Sequence, residues 1–285
     1  MKKKISILFL VVVTIGCLWL GIQTRKQNGI FVTQIQTQSA ESLSYLVETK
    51  NHQLIMLDGG MEEDAEHLEQ ILLSKGGVVE AWFITLAHSQ NFGALQKIVK
   101  NDKIQVNHIY ISFNSSEWYQ KHEPERYAET EKILDFIHSE AVVGKVQEIP
   151  NRFEVLIDHV YVTALQIKNP ELTNYAAFNQ SMIIKMNTTY KSLIFMGNLA
   201  KEGAQKFKLH NLDEIHCDAL QISNNQQQAV DDEIYQKMTP QTLFMPVPEQ
   251  TDKTKAKQEI ERLKQKLKAK EAYLSSEGDK TVKIW

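Results

Sequence analysis

Nine histidines and two cysteines are the side chains of this chain best suited to ligate a transition metal or to act as nucleophiles. A zinc site needs about four donors drawn from imidazole, thiolate or carboxylate. His210, His216 and Cys217 show no helix or finger spacing that converges, and His108, His122 and His138 are scattered. His88 stands alone near the end of an apolar run, where an imidazole is more often a hydrogen-bonded structural group than a ligand. Cys17 lies in an uncharged apolar stretch, so with Cys217 it makes no disulfide framework. A carboxylate, Asp58, closes another apolar run just before Gly59-Gly60, a pair that stops a strand abruptly.

Positioning these groups falls to the elements around them. Ile30 to Gln36 reads as a strand, and Ser44 to Thr49 and Gln53 to Asp58 as two more, joined by the turn Lys50-Asn51-His52. From Asp64 to Lys75, Ala65, Leu68, Ile71 and Leu72 fall at helical spacing, with Gly76-Gly77 as the stop. Val78 to Thr85 returns to strand, Asn91 to Lys100 to helix, Asn107 to Phe113 to strand and Pro124 to Ser139 to helix. The second half repeats the style with short strands over 146–149, 154–157, 160–165, 181–186 and 192–196. A helix from Lys201 to about His210, a strand Ala219 to Ile222, a helix Asp231 to Met238 and a strand Thr242 to Met245 follow. The closing segment predicts a charged helix from Lys253 to about Ala272, striped by Ala256, Ile260, Leu263 and Leu267. Tyr273 to Trp285 then reads as a hairpin around Glu277-Gly278-Asp279. Two β-rich halves with interleaved helices predict a sandwich of two mixed sheets with helices outside.

Composition sets the class. The chain has 285 residues, 42% of them hydrophobic, with 12 Gly and 6 Pro, which suffices for a substantial core and excludes a disordered or collagen-like protein. A formal charge of −3 argues against autonomous nucleic-acid binding, which needs a basic excess to neutralise phosphates. Met1-Lys2-Lys3-Lys4 precedes an uncharged apolar run from Ile5 to Ile22, about 27 Å long as a helix and close to the thickness of a bilayer core. No small-residue cleavage site follows it. The expectation is an uncleaved signal-anchor over about 5–22, a Lys-rich cytoplasmic start and a linker to residue 28, with 29–285 as one extracellular domain of a single-pass protein of the cell membrane.

The stretch Leu57-Asp58-Gly59-Gly60, with strand Trp82 to Thr85 and then Leu86-Ala-His-Ser-Gln-Asn-Phe-Gly93, resembles the metallo-β-lactamase superfamily. The nearest branch looks like the extracellular ComEC-type hydrolase domain of competence proteins and its stand-alone relatives. Downstream, Asn179-Gln-Ser-Met-Ile-Ile, Ser192-Leu-Ile-Phe-Met-Gly-Asn198 and Asp218-Ala-Leu-Gln-Ile-Ser-Asn-Asn225 are similar to that branch's later motifs in the right order. The resemblance spans about 31–285 and implies a four-layer αββα sandwich of metallo-β-lactamase type.

It also implies that the motif histidines and aspartates hold one or two divalent metals, usually zinc. Onto those positions fall Leu86, His88, Gln90, Asn91, Asn198, Asn224 and Asn225, and of these only His88 keeps a ligand side chain. Asp58 matches a carboxylate that usually organises the loop. Carboxamide oxygens are weak zinc donors and leucine is none. Without a bound metal, water has no low-pKa form to supply a hydroxide nucleophile. The sequence therefore leads to a membrane-anchored, extracellular pseudoenzyme with no catalytic residues, no metal and no cofactor, serving as a binding or scaffolding module. Its partners would be the membrane, through the N-terminal helix, and an unidentified polar ligand or protein. The rival expectation is an active, phosphodiesterase-like metal-dependent hydrolase related to DNA-uptake domains.

Overall fold

The structure is a computed structural model that describes Thr14 and residues 29–39, 42–209, 212–224, 229–247 and 252–284. The anchor expected over 5–22, apart from Thr14, and the linker to 28 lie outside the described residues, as does Asn225. Among the described residues no helix is long and apolar enough to cross a membrane.

Among the described residues, fourteen strands form two seven-stranded sheets on one plan. The first sheet contains β1 (Ile30–Gln34), β2 (Tyr45–Glu48), β3 (Leu54–Leu57), β4 (Val78–Phe83), β5 (Gln105–Ile111), β6 (Val146–Glu148) and β14 (Lys280–Ile284), in the order β14-β1-β2-β3-β4-β5-β6. Its pairings are antiparallel from β14 to β3 and parallel from β3 to β6. The second sheet contains β7 (Glu154–Ile157), β8 (Val160–Gln166), β9 (Ile183–Asn187), β10 (Ser192–Phe195), β11 (Ala219–Gln221), β12 (Thr242–Met245) and β13 (Glu271–Leu274), ordered β7-β8-β9-β10-β11-β12-β13. It too is antiparallel as far as β10 and parallel beyond. In each sheet the change of sense comes after three antiparallel pairings, at β3 and at β10.

Strand alternation sorts the side chains. Ile55, Leu57, Ala81, Phe83, Val162, Ala164, Ile184, Leu193 and Phe195 fill the layer between the sheets. On the outer face of the first sheet, α1 (Ala65–Ser74), α2 (Ser89–Lys100) and α4 (Tyr127–Ile137) bury Leu68, Leu72, Phe92, Ile98, Ile133 and Phe136. On the outer face of the second, α6 (Lys201–Phe207), α8 (Asp232–Met238) and α9 (Lys253–Leu267) bury Phe207, Ile234, Met238, Ile260 and Leu263. The four layers expected from the sequence are present. The remaining helices, α3 (Ser116–His122), α5 (Ala176–Asn179) and α7 (Leu212–Ile215), are short connectors.

Besides the short α5 and α7, which are not among the expected elements, and the helix from Lys201, which ends at Phe207, three differences from expectation have a visible cause. The helix expected from Pro124 begins at Tyr127 and is preceded by α3, which starts where the Ser115 hydroxyl accepts the Trp118 N–H. The last helix stops at Leu267, because Lys268 turns left-handed at φ 56° and the Ala269 N–H closes on the Lys264 carbonyl. The expected C-terminal hairpin does not form. β13 joins β12 in one sheet and β14 joins β1 in the other. The crossing is held by the buried Ser275 hydroxyl, which accepts the Val247 N–H at 2.7 Å and donates to the Val247 carbonyl at 2.8 Å.

α2 lies so close to the turn before α1 that a Cβ on Gly93 would come within 2.6 Å of the Glu62 nitrogen and 2.9 Å of the Met61 carbonyl carbon. Backbone cannot yield as a side-chain tip can. Gly93→Ala is expected to lower unfolding free energy by about 2–3 kcal/mol, read as a reduced midpoint in urea.

Candidate functional site

The matched positions lie beyond the carboxyl ends of β3, β4, β10 and β11, where parallel pairing begins in each sheet. Ligands of open α/β sheets bind at such ends. Asp58 follows β3 in a left-handed conformation, φ 52°, which a short polar side chain tolerates. Its carboxylate accepts two bonds from Thr85 after β4, the backbone N–H on Oδ1 and the hydroxyl on Oδ2, each at 2.7 Å. The Asp58 carbonyl accepts the Trp82 indole N–H at 3.0 Å. From the opposite sheet, Gly197 presses onto the same spot, since a Cβ there would fall 2.3 Å from Ser181 Oγ and 2.9 Å from Thr85 Oγ1. With φ 57°, that turn requires glycine.

The amides lock together across this junction. Asn91, in the first turn of α2, donates through Nδ2 to Asn198 Oδ1 at 2.9 Å and to Thr85 Oγ1 at 3.3 Å. The Asn198 backbone N–H donates to Ser181 Oγ at 3.0 Å. Asn224, after β11, donates its backbone N–H to the Gly197 carbonyl at 3.0 Å and its Nδ2 to the Ser42 carbonyl at 3.2 Å. Asp58, Asn91 and Asn198 thus form one network through Thr85, with Asn224 attached at the Gly197 turn. All four are buried. Asn91 Oδ1 has no hydrogen-bond partner.

Leu86, His88 and Gln90 face elsewhere. Leu86 packs with Ala177, Phe178 and Ala200, an apolar plug supplied by α5 and the loop after β10. His88, extended at the start of α2, is 1% exposed and has both ring nitrogens engaged: Nε2 with Glu123 Oε2 at 3.1 Å, Nδ1 with Arg126 Nη1 at 3.3 Å. An arginine only donates, so Nδ1 is the acceptor and Nε2 carries the proton shared with Glu123. The same Arg126 Nη1 reaches Gln90 Oε1 at 3.4 Å. Glu129 Oε1 accepts the Ser89 N–H at 2.6 Å. Burial raises the Glu129 pKa, but the opposing pull, led by the Ser89 hydroxyl and N–H, holds it below the usual range. A cavity of about 330 Å³ opens beside this cluster, bounded by Glu123, Arg126, Thr173, Tyr175, Ala176 and Phe178.

Sequence reasoning missed Thr85's bonding role and all of Glu123, Arg126 and Glu129. The last three come from the segment between α3 and α4 and its first helical turn. The only sign in the chain is the charged run His122-Glu-Pro-Glu-Arg126.

The donor set does not fit zinc. Among the described residues no three His, Cys, Asp or Glu side chains converge as a metal requires. The Asp58 oxygens are spent on Thr85, and the His88 nitrogens on Glu123 and Arg126.

No family model matches the chain, and no curated protein does. Solved structures do match it. The metallo-β-lactamase fold protein YhfI from Bacillus subtilis superposes with a TM-score of 0.58 at 12% identity, over 90% of this chain and 100% of that one. Igni18, a metallo hydrolase from Ignicoccus hospitalis, gives 0.52 at 12% identity, over 90% and 99%. CmlA, a diiron β-hydroxylase from Streptomyces venezuelae, gives 0.55 at 9% identity, over 90% of this chain and 54% of that one. The chain therefore has the metallo-β-lactamase fold.

Burial pushes the Asp58 carboxyl up to about 7, against the opposing pull of the Thr85 bonds and of Asn91. The folded protein thus holds this proton more tightly than the unfolded chain, whose value is 3.8. Its stabilising contribution is complete below about pH 4 and is lost as pH rises through about 7, with an upper limit of about 4 kcal/mol at about 1.4 kcal/mol per unit. Relative to Asp58→Asn, the wild-type chain should lose stability steadily between pH 4 and 7 in urea unfolding, and the difference should level off above pH 8.

Proposed function

We propose that this chain is a pseudoenzyme on the metallo-β-lactamase fold, carried outside the cell by an N-terminal membrane anchor and acting as a binding or scaffolding module. The observation that supports this most is how the mapped ligand positions are used. Leu86 seals an apolar plug, while Asn91 and Asn198 bond to each other. A metal would have to displace the Asn91–Asn198 bond and the Leu86 plug, and neutral amide oxygens, including the unpartnered Asn91 Oδ1, are weak donors that return little in exchange. The ComEC-type relationship is proposed on the order of the motifs, and the anchor on the apolar run from Ile5 to Ile22.

A binding role is supported by the cavity beside the cluster, whose wall combines carboxylate, guanidinium, hydroxyl and aromatic groups. Such a mixed lining suits a small polar ligand or a polar segment of a protein. Glu123 and Arg126 belong both to this cavity's wall and to the cluster around His88, so a ligand bound there would meet groups the cluster already holds in place.

The purified full chain, analysed for metal and assayed against a phosphodiester with added zinc or manganese, should carry far less than one equivalent and show no turnover. Stoichiometric, tightly held metal with turnover that His88→Ala abolishes would establish the hydrolase instead.

A further inference from the structure

Arg126 sends its guanidinium into the domain from the segment between α3 and α4. One nitrogen, Nη1, meets both His88 Nδ1 at 3.3 Å and Gln90 Oε1 at 3.4 Å. His88 and Gln90 are two of the positions matched to metal ligands, and the acceptor atoms of both face this nitrogen. The guanidinium carbon lies 5.8 Å from the Phe178 ring centroid, in cation–π range, and the same ring meets His88 edge-on at 5.7 Å. Two carboxylates complete the surroundings. Glu123, bonded to the far side of His88, has a buried Oε1 with no hydrogen-bond partner, and Glu129 caps the start of α2 beside them. Imidazole nitrogen, amide oxygen, aromatic face and two nearby carboxylates together make a cradle for a positive charge.

We infer that the cluster beside the amide network holds a built-in cation: the Arg126 guanidinium occupies the place between His88 and Gln90 and makes that place a guanidinium site. The inference rests on the pseudoenzyme reading and adds what fills the space. A guanidinium is planar and weakly hydrated, and it donates along several directions. It can therefore serve an imidazole, an amide and a ring face at once, where a lysine ammonium on the same backbone position reaches fewer of them. The arrangement also fixes the histidine. With Nδ1 accepting from arginine, the His88 proton is confined to Nε2 and directed at Glu123.

The test is chemical rescue in the full chain. Arg126→Ala should lower the thermal midpoint by about 5–10 °C, because buried His88 and Gln90 lose their donor and Glu129 loses a nearby positive charge. Millimolar methylguanidinium should restore most of the loss saturably, while sodium or tetramethylammonium chloride at equal ionic strength should not. Arg126→Lys should recover only part of it. An unchanged midpoint in Arg126→Ala, or a response to methylguanidinium no larger than to sodium, overturns the inference. Should that variant fail to fold, nitrogen NMR of the wild-type chain decides: His88 protonated on Nε2 with a bare Nδ1 supports the cradle, and a proton on Nδ1 removes it. A rescue that fails in metal-free protein sinks this inference alone, whereas stoichiometric zinc in the wild-type chain sinks the pseudoenzyme reading with it.

Discussion

A single buried carboxylate joins the two strand ends on which the cleft is built. Asp58 gives both oxygens to Thr85, so the end of β3 is fixed to the end of β4 by side chain as well as by sheet pairing. Everything nearby is referred to that clamp. Gly197 from the second sheet abuts Thr85, Asn91 bonds its hydroxyl, and Trp82 ties in through the Asp58 carbonyl. Burying a carboxylate without a cation is costly, and two strong donors meet only part of the cost, which is why its proton is held so tightly.

That constraint gives the amides around it a physical logic. A carboxylate at position 198 would stand within hydrogen-bonding reach of Asn91 and one residue further from Asp58, all of them buried. In a low-dielectric interior, like charges brought close together repel strongly. An amide keeps the shape and removes the charge. The same economy holds at Gln90, where a neutral oxygen accepts from Arg126. The acidic side chains that remain, Glu123 and Glu129, lie on the side of the cleft where the guanidinium is.

Much of this architecture could be read from residue order. Short continuous apolar runs mark β2 and β3, alternation marks the start of β8, and the stripe Ala256, Ile260, Leu263, Leu267 is buried as its spacing requires. The C-terminal hairpin was misread because a strand, a Gly278-centred turn and a strand look alike whether the strands pair with each other or part. What separates them is the long-range bond between Ser275 and Val247, which no local pattern announces. The site divides the same way. Asp58, Asn91 and Asn198 were found through motifs near glycines that the backbone demands. Glu123 and Arg126 reach His88 from 35 and 38 residues away on a short connector, and only the fold brings them there.

The strand β14 has a kinetic consequence as well as a structural one. Thr33 and Thr281 touch across 248 residues of chain, and β1 has β14 as its second neighbour. Until that distant segment arrives, one side of β1 shows an open row of backbone donors and acceptors to the surroundings, the kind of edge along which chains stick to one another. Pairings between such remote segments form slowly. A nascent copy would therefore spend its early life with that edge uncovered, a window in which a chaperone or a neighbouring strand can engage it.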